Sequence, residues 1–300
     1  LQSLGVADTS LPQQFLRGDL VSQRPYCAQR PDCPVRLDAN ESPFDVPEDV
    51  RAEIADAVAR MPLNRYPDGP ATALREALAE HSGLPAQWVA VGNGSDELIA
   101  YLVQVFRRPG TCVVSPEPTF SMYGILARAL GAQYIGVPLL DTFALDDGAL
   151  RAAIPPHGTH LVFLAYPNNP TGNCWDEDAI LRLLDVPNAL VIVDEAYYEY
   201  SGRTLLPLVR AVENLVVLRT FSKAYGAAGL RVGWMAARPG WVDCVDRVRL
   251  PYNVNSLSQA AALVLLRRTA RMALGVQAVV AERRRVAAAL ASRPGTRPFP

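Results

Sequence analysis

The chain has 300 residues, half of them hydrophobic and a fifth charged, with a formal net charge of −1. That length suits one large α/β domain with a smaller appendage, and the even charge balance argues against a nucleic-acid groove or an anionic membrane surface as partner. Apolar runs such as 260–266 are far too short to span a bilayer, and no cationic, apolar leader precedes the fold, so a cytoplasmic protein is expected.

The first forty or so residues are rich in Pro, Gln and Arg without a sustained period and read as an extended arm. Asp45, Pro47 and Glu48 then carry the spacing of a helix start, which predicts a helix capped by Asp45 and running to about Arg60. Leu74 and Leu78 sit one turn apart in a second predicted helix, from Pro70 to Ser82, closed by Gly83. From there short apolar strands alternate with amphipathic helices. The predicted strands are Trp88–Val91, Cys112–Ser115, Tyr134–Val137, His160–Ala165, Ala189–Val193, Leu215–Arg219 and Leu230–Ala236, and their spacing predicts a mainly parallel sheet with helices on both faces. The stretch from Ser256 to Ala291 reads as mostly helical.

Five scattered cysteines (Cys27, Cys33, Cys112, Cys174, Cys244) show no CxxC spacing, and His81, His157 and His160 form no H-E-x-x-H pattern. A metal site or a Ser-His-Asp machine is therefore not expected. The basic residues are more informative, because all but one of the 29 are arginine. Arginine replaces lysine as a surface cation but cannot serve as a neutral amine or form a Schiff base. A lysine kept for amine chemistry, or a chance survivor of compositional drift, would both leave the single Lys223.

In parallel α/β sheets ligands sit beyond the carboxyl ends of the strands, so the residues there carry the argument. Gly92-Asn93-Gly94-Ser95-Asp96-Glu97 leads from a strand into a helix, which is either a tight turn or a phosphate site made by free backbone N–H groups. Tyr123 follows the next strand and is either a core aromatic or a ring to stack on a flat heteroaromatic ligand. Tyr166-Pro167-Asn168-Asn169-Pro170-Thr171-Gly172 presents an Asn pair from a turn between prolines. Asp194, in Val193-Asp194-Glu195-Ala196-Tyr197, ends an apolar strand, where ionisation demands a metal, a ribose or a protonated ring nitrogen as partner. Thr220-Phe221-Ser222-Lys223-Ala224-Tyr225-Gly226 follows, with Arg231 eight residues after the lysine. Ser222 and Arg231 both suit phosphate oxygens, and nearby positive charge with partial burial would favour the neutral, nucleophilic amine of Lys223. No Walker-type phosphate loop is present to suggest a nucleotide.

Taken in order, these motifs resemble those of pyridoxal-phosphate aminotransferases of fold type I, the aspartate-aminotransferase-like fold. Tyr26, Leu37-Asp38-Ala39-Asn40-Glu41-Ser42-Pro43, Arg65-Tyr66-Pro67-Asp68 and Pro251-Tyr252-Asn253-Val254 make the chain similar to histidinol-phosphate aminotransferases, from about Tyr26 to the end. The resemblance implies an arm (1–44), a large cofactor-binding domain (45–250) and the start of a small C-terminal domain (251–300). It implies that Lys223 carries pyridoxal 5'-phosphate covalently and moves the proton at the substrate α-carbon, with Asp194 on the pyridinium nitrogen. Tyr197 and Asn169 would bond the ring oxygen, Tyr123 would stack on the ring, and Ser95, Asp96, Thr220, Ser222 and Arg231 would anchor the phosphate. Tyr66 would reach the phosphate of a second subunit in a homodimer, and Tyr26 and Asn40 would lie on the substrate side.

The implied reaction is ping-pong transamination between an amino donor and an oxo acid, in that family histidinol phosphate with 2-oxoglutarate in histidine biosynthesis. A threonine-phosphate decarboxylase, a broader aromatic transaminase or a non-catalytic truncated homologue are the alternatives. The last arises because the sequence stops before the family's small-domain strands, which carry an arginine that clamps the substrate carboxylate, so the substrate half of the site is expected to be incomplete.

Overall fold

A computed structural model describes residues 15–21, 23, 35 and 37–299. Tyr26, Cys27 and Cys33 lie outside them. Seven strands form one sheet: β1 (Val89–Gly92), β2 (Cys112–Glu117), β3 (Gln133–Pro138), β4 (His160–Ala165), β5 (Ala189–Asp194), β6 (Leu215–Thr220) and β7 (Gly233–Ala237). Their spatial order is β1-β7-β6-β5-β4-β2-β3. The run from β3 to β6 is parallel throughout, and β7 alone is reversed, pairing antiparallel with both β6 and β1. The expected mainly parallel α/β sheet is present.

Every residue of β4, β5 and β6 is buried, the pattern of strands covered on both faces. Alternation sorts their side chains into two cores. Val162, Leu164, Val191, Val193, Leu215 and Val217 lie on one face. Leu161, Phe163, Leu190, Ile192, Val216 and Leu218 lie on the other. The first core is closed by helices α1 (Glu48–Ala59), α2 (Thr72–Ser82), α5 (Asp147–Ala153), α6 (Glu177–Leu184) and α9 (Ser256–Arg267), which contribute Val50, Leu74, Leu150, Ile180 and Ala262. The second is closed by α3 (Ser95–Phe106), α4 (Met122–Ala129) and α8 (Pro239–Asp246), through Leu98, Tyr123 and Val242. A four-residue α7 (Tyr198–Ser201) follows β5, and α10 (Thr269–Ala291) ends the chain's regular structure. Among the described residues no helix is long and apolar enough to cross a membrane.

Four local expectations need correction. Asp45 does not cap α1, which begins after Pro47 without a side-chain cap. The Asp45 carboxylate instead accepts the Val46 N–H at 2.7 Å and pairs with Arg51. Helix α2 starts at Thr72, whose N–H is taken by Asp68 Oδ2 at 2.6 Å, and Gly83 at φ +68° closes it as expected. Trp88 lies in a 3-10 turn (Ala86–Trp88), so β1 starts one residue later. Leu230 likewise belongs to a 3-10 turn, and Arg231 at φ +53° turns left-handed, which delays β7 to Gly233. The stretch from Ser256 to Ala291 is helical as expected, in two helices that break at Arg268, where φ is −106° and ψ is +20°. No Gly or Pro marks that break. Arg267 and Arg268 both pair with Glu53 of α1 there.

Candidate active site

Two strand ends and one helix start build an anion cradle. β1 finishes at Gly92, Gly94 takes φ +84°, and α3 begins at Ser95. The first turn of any α-helix leaves N–H groups without intrahelical acceptors, and here they sit beside a guanidinium. Arg231 Nη1 donates to Ser222 Oγ at 3.4 Å and Nη2 to Asp96 Oδ2 at 3.2 Å. Thr220 Oγ1 lies 2.9 Å from Ser222 Oγ and accepts the Ser222 N–H at 3.1 Å. Glycine is required twice in this packing. A Cβ on Gly94 would run into the Arg231 guanidinium, and one on Gly233 into the Ser95 backbone nitrogen. Ser95, Asp96, Thr220, Ser222 and Arg231 therefore meet at one place, although they come from three segments. The Asp96 side chain is committed to Arg231, so what it offers an anion is its backbone N–H.

Asp194, at the end of β5, is 4% exposed. Its Oδ2 accepts the Tyr123 hydroxyl at 2.9 Å and its Oδ1 the Ala196 N–H at 3.1 Å. Burial pushes the carboxyl up to about 6, against the lowering effect of those two donors. Its neighbour Glu195 points to the opposite face, as strand alternation requires. There it is bound by Arg219 at 2.9 Å, by Thr204 and by the Leu205 N–H, while Arg219 stacks over Tyr198. Of the adjacent acids, Glu195 is neutralised and built into the scaffold, and Asp194 retains no cationic hydrogen-bond partner among the described residues.

Tyr123 corrects an expectation. Its ring is fully buried, stacked on Phe163 at 4.9 Å with Phe120 edge-on at 5.5 Å, so it offers no face to a ligand. The reason is position: it lies inside the first turn of α4, which packs onto the sheet. The half-buried aromatic of that segment is Phe120.

Lys223 lies in the turn after β6. Its ammonium donates to the carbonyls of Ala39 (2.8 Å) and Asn40 (3.2 Å), and Nζ stands 5.5 Å from the centre of the Tyr197 ring. Burial lowers its pKa; Asp96 and Glu41 oppose this, and Arg231 adds to it. Asn40, at φ +49°, donates its amide to the Tyr197 hydroxyl at 3.1 Å. The Tyr197 proton is thus left for another acceptor. The two asparagines of the Pro-flanked turn divide the work. Asn168 is buried and braces the loop, accepting from Thr119 and donating to Pro118 and Thr171. Asn169 is half-buried, and its amide makes no hydrogen bond among the described residues. Tyr66 stands apart, 81% exposed and stacked on Tyr252 at 4.6 Å. Tyr26 lies outside the described residues.

An amine, a buried carboxylate, a half-buried asparagine, a tyrosine hydroxyl and an anion cradle thus line the carboxyl edge of one sheet. The donor set fits a phosphorylated pyridine aldehyde, because the glycine-lined cradle accommodates a dianion and the buried carboxylate wants a cationic partner. The sequence missed the Tyr123–Asp194 bond and the arm carbonyls on Lys223. Both join residues far apart in the chain, and neither carries a local signal.

The fold and the site define an α/β enzyme that works on amines. The chain belongs to the class I and II aminotransferase family, whose profile matches residues 34–299. It is 41% identical over 268 residues to a histidinol-phosphate aminotransferase of Pyrococcus furiosus, covering 89% of this chain and 78% of that protein. It is 43% identical over 276 residues to one from Gloeobacter violaceus, covering 91% and 78%. Among solved structures it resembles the histidinol-phosphate aminotransferase of Sinorhizobium meliloti in complex with pyridoxal-5'-phosphate, with TM-score 0.76 and 29% identity over 84% of this chain and 69% of that one.

Proposed function

We propose that this chain is a histidinol-phosphate aminotransferase that uses pyridoxal phosphate to pass an amino group from histidinol phosphate to 2-oxoglutarate. The observation that carries the reading is the placement of Lys223, Asp194 and the Gly94–Ser95 cradle along one sheet edge, in a chain over 40% identical to enzymes of that name. When bound, pyridoxal phosphate supplies an electron sink conjugated to the substrate's α-carbon.

The chain's own residues do the rest. The α3 start, Thr220, Ser222 and Arg231 hold the phosphate dianion. Asp194 would keep the ring nitrogen protonated, while Tyr197 and Asn169 would hold the ring oxygen and Phe120 would cover a ring face. Lys223 would hold the cofactor and, once displaced by the amino substrate, would carry the proton between the substrate's α-carbon and the cofactor. A depressed pKa suits it to that exchange. Asn40, on the arm beside Tyr197, lies on the substrate side.

The same reading makes the protein a homodimer in which Tyr66 serves the phosphate of a second copy. Its exposed stack with Tyr252, with Leu250 and Leu257 beside Tyr252 also exposed, supports that. A cytoplasmic location goes with that reading.

The test is to add pyridoxal phosphate to the purified protein and to Lys223→Ala, then titrate in histidinol phosphate and analyse the product. A visible band in wild type only, bleached by histidinol phosphate with formation of the oxo product, is expected. No band in folded wild type overturns the reading, and a band indifferent to histidinol phosphate, with carbon dioxide released from added threonine phosphate, reassigns it to decarboxylation.

A further inference from the structure

We infer that Tyr123 is a positioning residue that acts through Asp194, holding that carboxylate ionised and aimed so that it keeps the cofactor's ring nitrogen protonated. The inference rests on the pyridoxal-phosphate reading above and adds a residue to it.

Five titratable groups act on Asp194. Asp96 at the α3 start and Glu195 beside it in the chain are acids that oppose its ionisation. Tyr197, after β5, also lies within electrostatic reach, and its hydroxyl is bound to Asn40. Lys223, after β6, favours the anion from a distance but spends its hydrogen bonds on the arm. The fifth is Tyr123, the one side chain among the described residues that donates a hydrogen bond to the carboxylate, at 2.9 Å inside the core. The backbone N–H of Ala196 fills the other oxygen.

The geometry separates this role from simple packing. The Tyr123 ring is clamped by Phe163 on its face and Phe120 at its edge, so its hydroxyl cannot swing away from Asp194. Phenylalanine at 123 would keep the stack and remove only the donor. A hydrogen bond to a charged acceptor favours the charged form. Without it the carboxylate becomes more basic and competes with the ring nitrogen for the shared proton.

The experiment loads full-length wild type and Tyr123→Phe with pyridoxal phosphate carrying 15N in its ring. The ring-nitrogen resonance of the variant is expected to move from the pyridinium position toward neutral pyridine. Its kcat is expected to fall about tenfold with KM within roughly threefold of wild type, and that loss should vanish in an Asp194→Asn background. An unmoved resonance, or a kcat loss that persists undiminished in that background, overturns the inference. Should the phenylalanine variant fail to fold, difluorotyrosine at 123 keeps the shape and strengthens the donor. It must move the 13C-carboxyl titration of Asp194 in the cofactor-free protein downward, and no movement is again a refutation. Wild type that forms no cofactor band fails the functional reading instead. The Tyr123–Asp194 link is then read from the 13C-carboxyl titration of Asp194 in the cofactor-free protein, which Tyr123→Phe must shift upward.

Discussion

The two ends of the candidate site are built in opposite ways. At the ring-nitrogen end a single carboxylate is 4% exposed and held by a fully buried tyrosine. At the end proposed for the phosphate the Arg231 and Asp96 side chains are 43% and 41% exposed, and backbone N–H groups, hydroxyls and one guanidinium meet. A dianion needs many donors and tolerates water, whereas a proton held on a ring nitrogen needs one strong partner shielded from it. Burial should therefore control chemistry at one end and affinity at the other.

The sharpest way to break this comparison is at Asp194. Asp194→Asn should lower kcat by roughly 100-fold or more, the scale of losing a buried electrostatic partner, while cofactor affinity changes far less. The same variant tests burial without cofactor. The folded carboxyl is raised from 3.8 to about 6, so the native state binds more protons than the unfolded one between those values. Wild-type stability should then fall as pH rises from about 4 to 6 and level off above it. Asp194→Asn should lack that fall and be the more stable protein above pH 6, by up to roughly 3 kcal/mol. Denaturant melts across pH 4–8 decide it, and parallel curves for the two proteins would contradict the assignment.

The phosphate end should behave differently. Gly233→Ala forces a methyl against the Ser95 nitrogen, an overpacking of about 1–3 kcal/mol. Cofactor dissociation should rise roughly 10- to 100-fold, with kcat at saturating cofactor close to wild type. Arg231→Gln should weaken binding by about tenfold, the low end for a charged hydrogen bond because the group is half-exposed. Added salt should narrow that gap, since exposed charges are screened. Equilibrium titrations of cofactor at two ionic strengths measure both. An effect on kcat as large as that on affinity would erase the distinction between the two ends. The smallest effect is expected well outside both. Asp45→Ala should change stability by less than about 0.5 kcal/mol, as for an exposed ion pair, and not by the ~1 kcal/mol of a lost helix cap.

Much of the site was legible because it is written at strand ends. The apolar runs of β4, β5 and β6 identify themselves, and the residues that follow each one (Asn168 and Asn169, Asp194, Ser222 and Lys223) are placed by the sheet's own geometry. Errors arose where a residue's role depends on how its segment enters or packs onto the fold. Tyr123 reads as a ring available for stacking until α4 folds onto Phe163 and closes its face. Asp45 has the spacing of a cap, yet the chain enters α1 at Pro47 and the carboxylate turns to Arg51. Leu230 and Arg231 look extended by composition, but the chain turns left-handed at Arg231 and the guanidinium comes to lie beside Gly94.

The sequence by itself determined the layering, singled out Lys223 as the unique amine and marked the Gly92–Glu97 strand-to-helix turn, because hydrophobic period, residue type and glycine spacing are local properties. Only the tertiary structure decided which of two adjacent acids stays unpaired by a cation, which tyrosine donates to it, and that the arm reaches back to Lys223 and Tyr197. Those outcomes depend on which groups share a buried space. That is set by the packing of segments tens to hundreds of residues apart, and no window along the chain contains it.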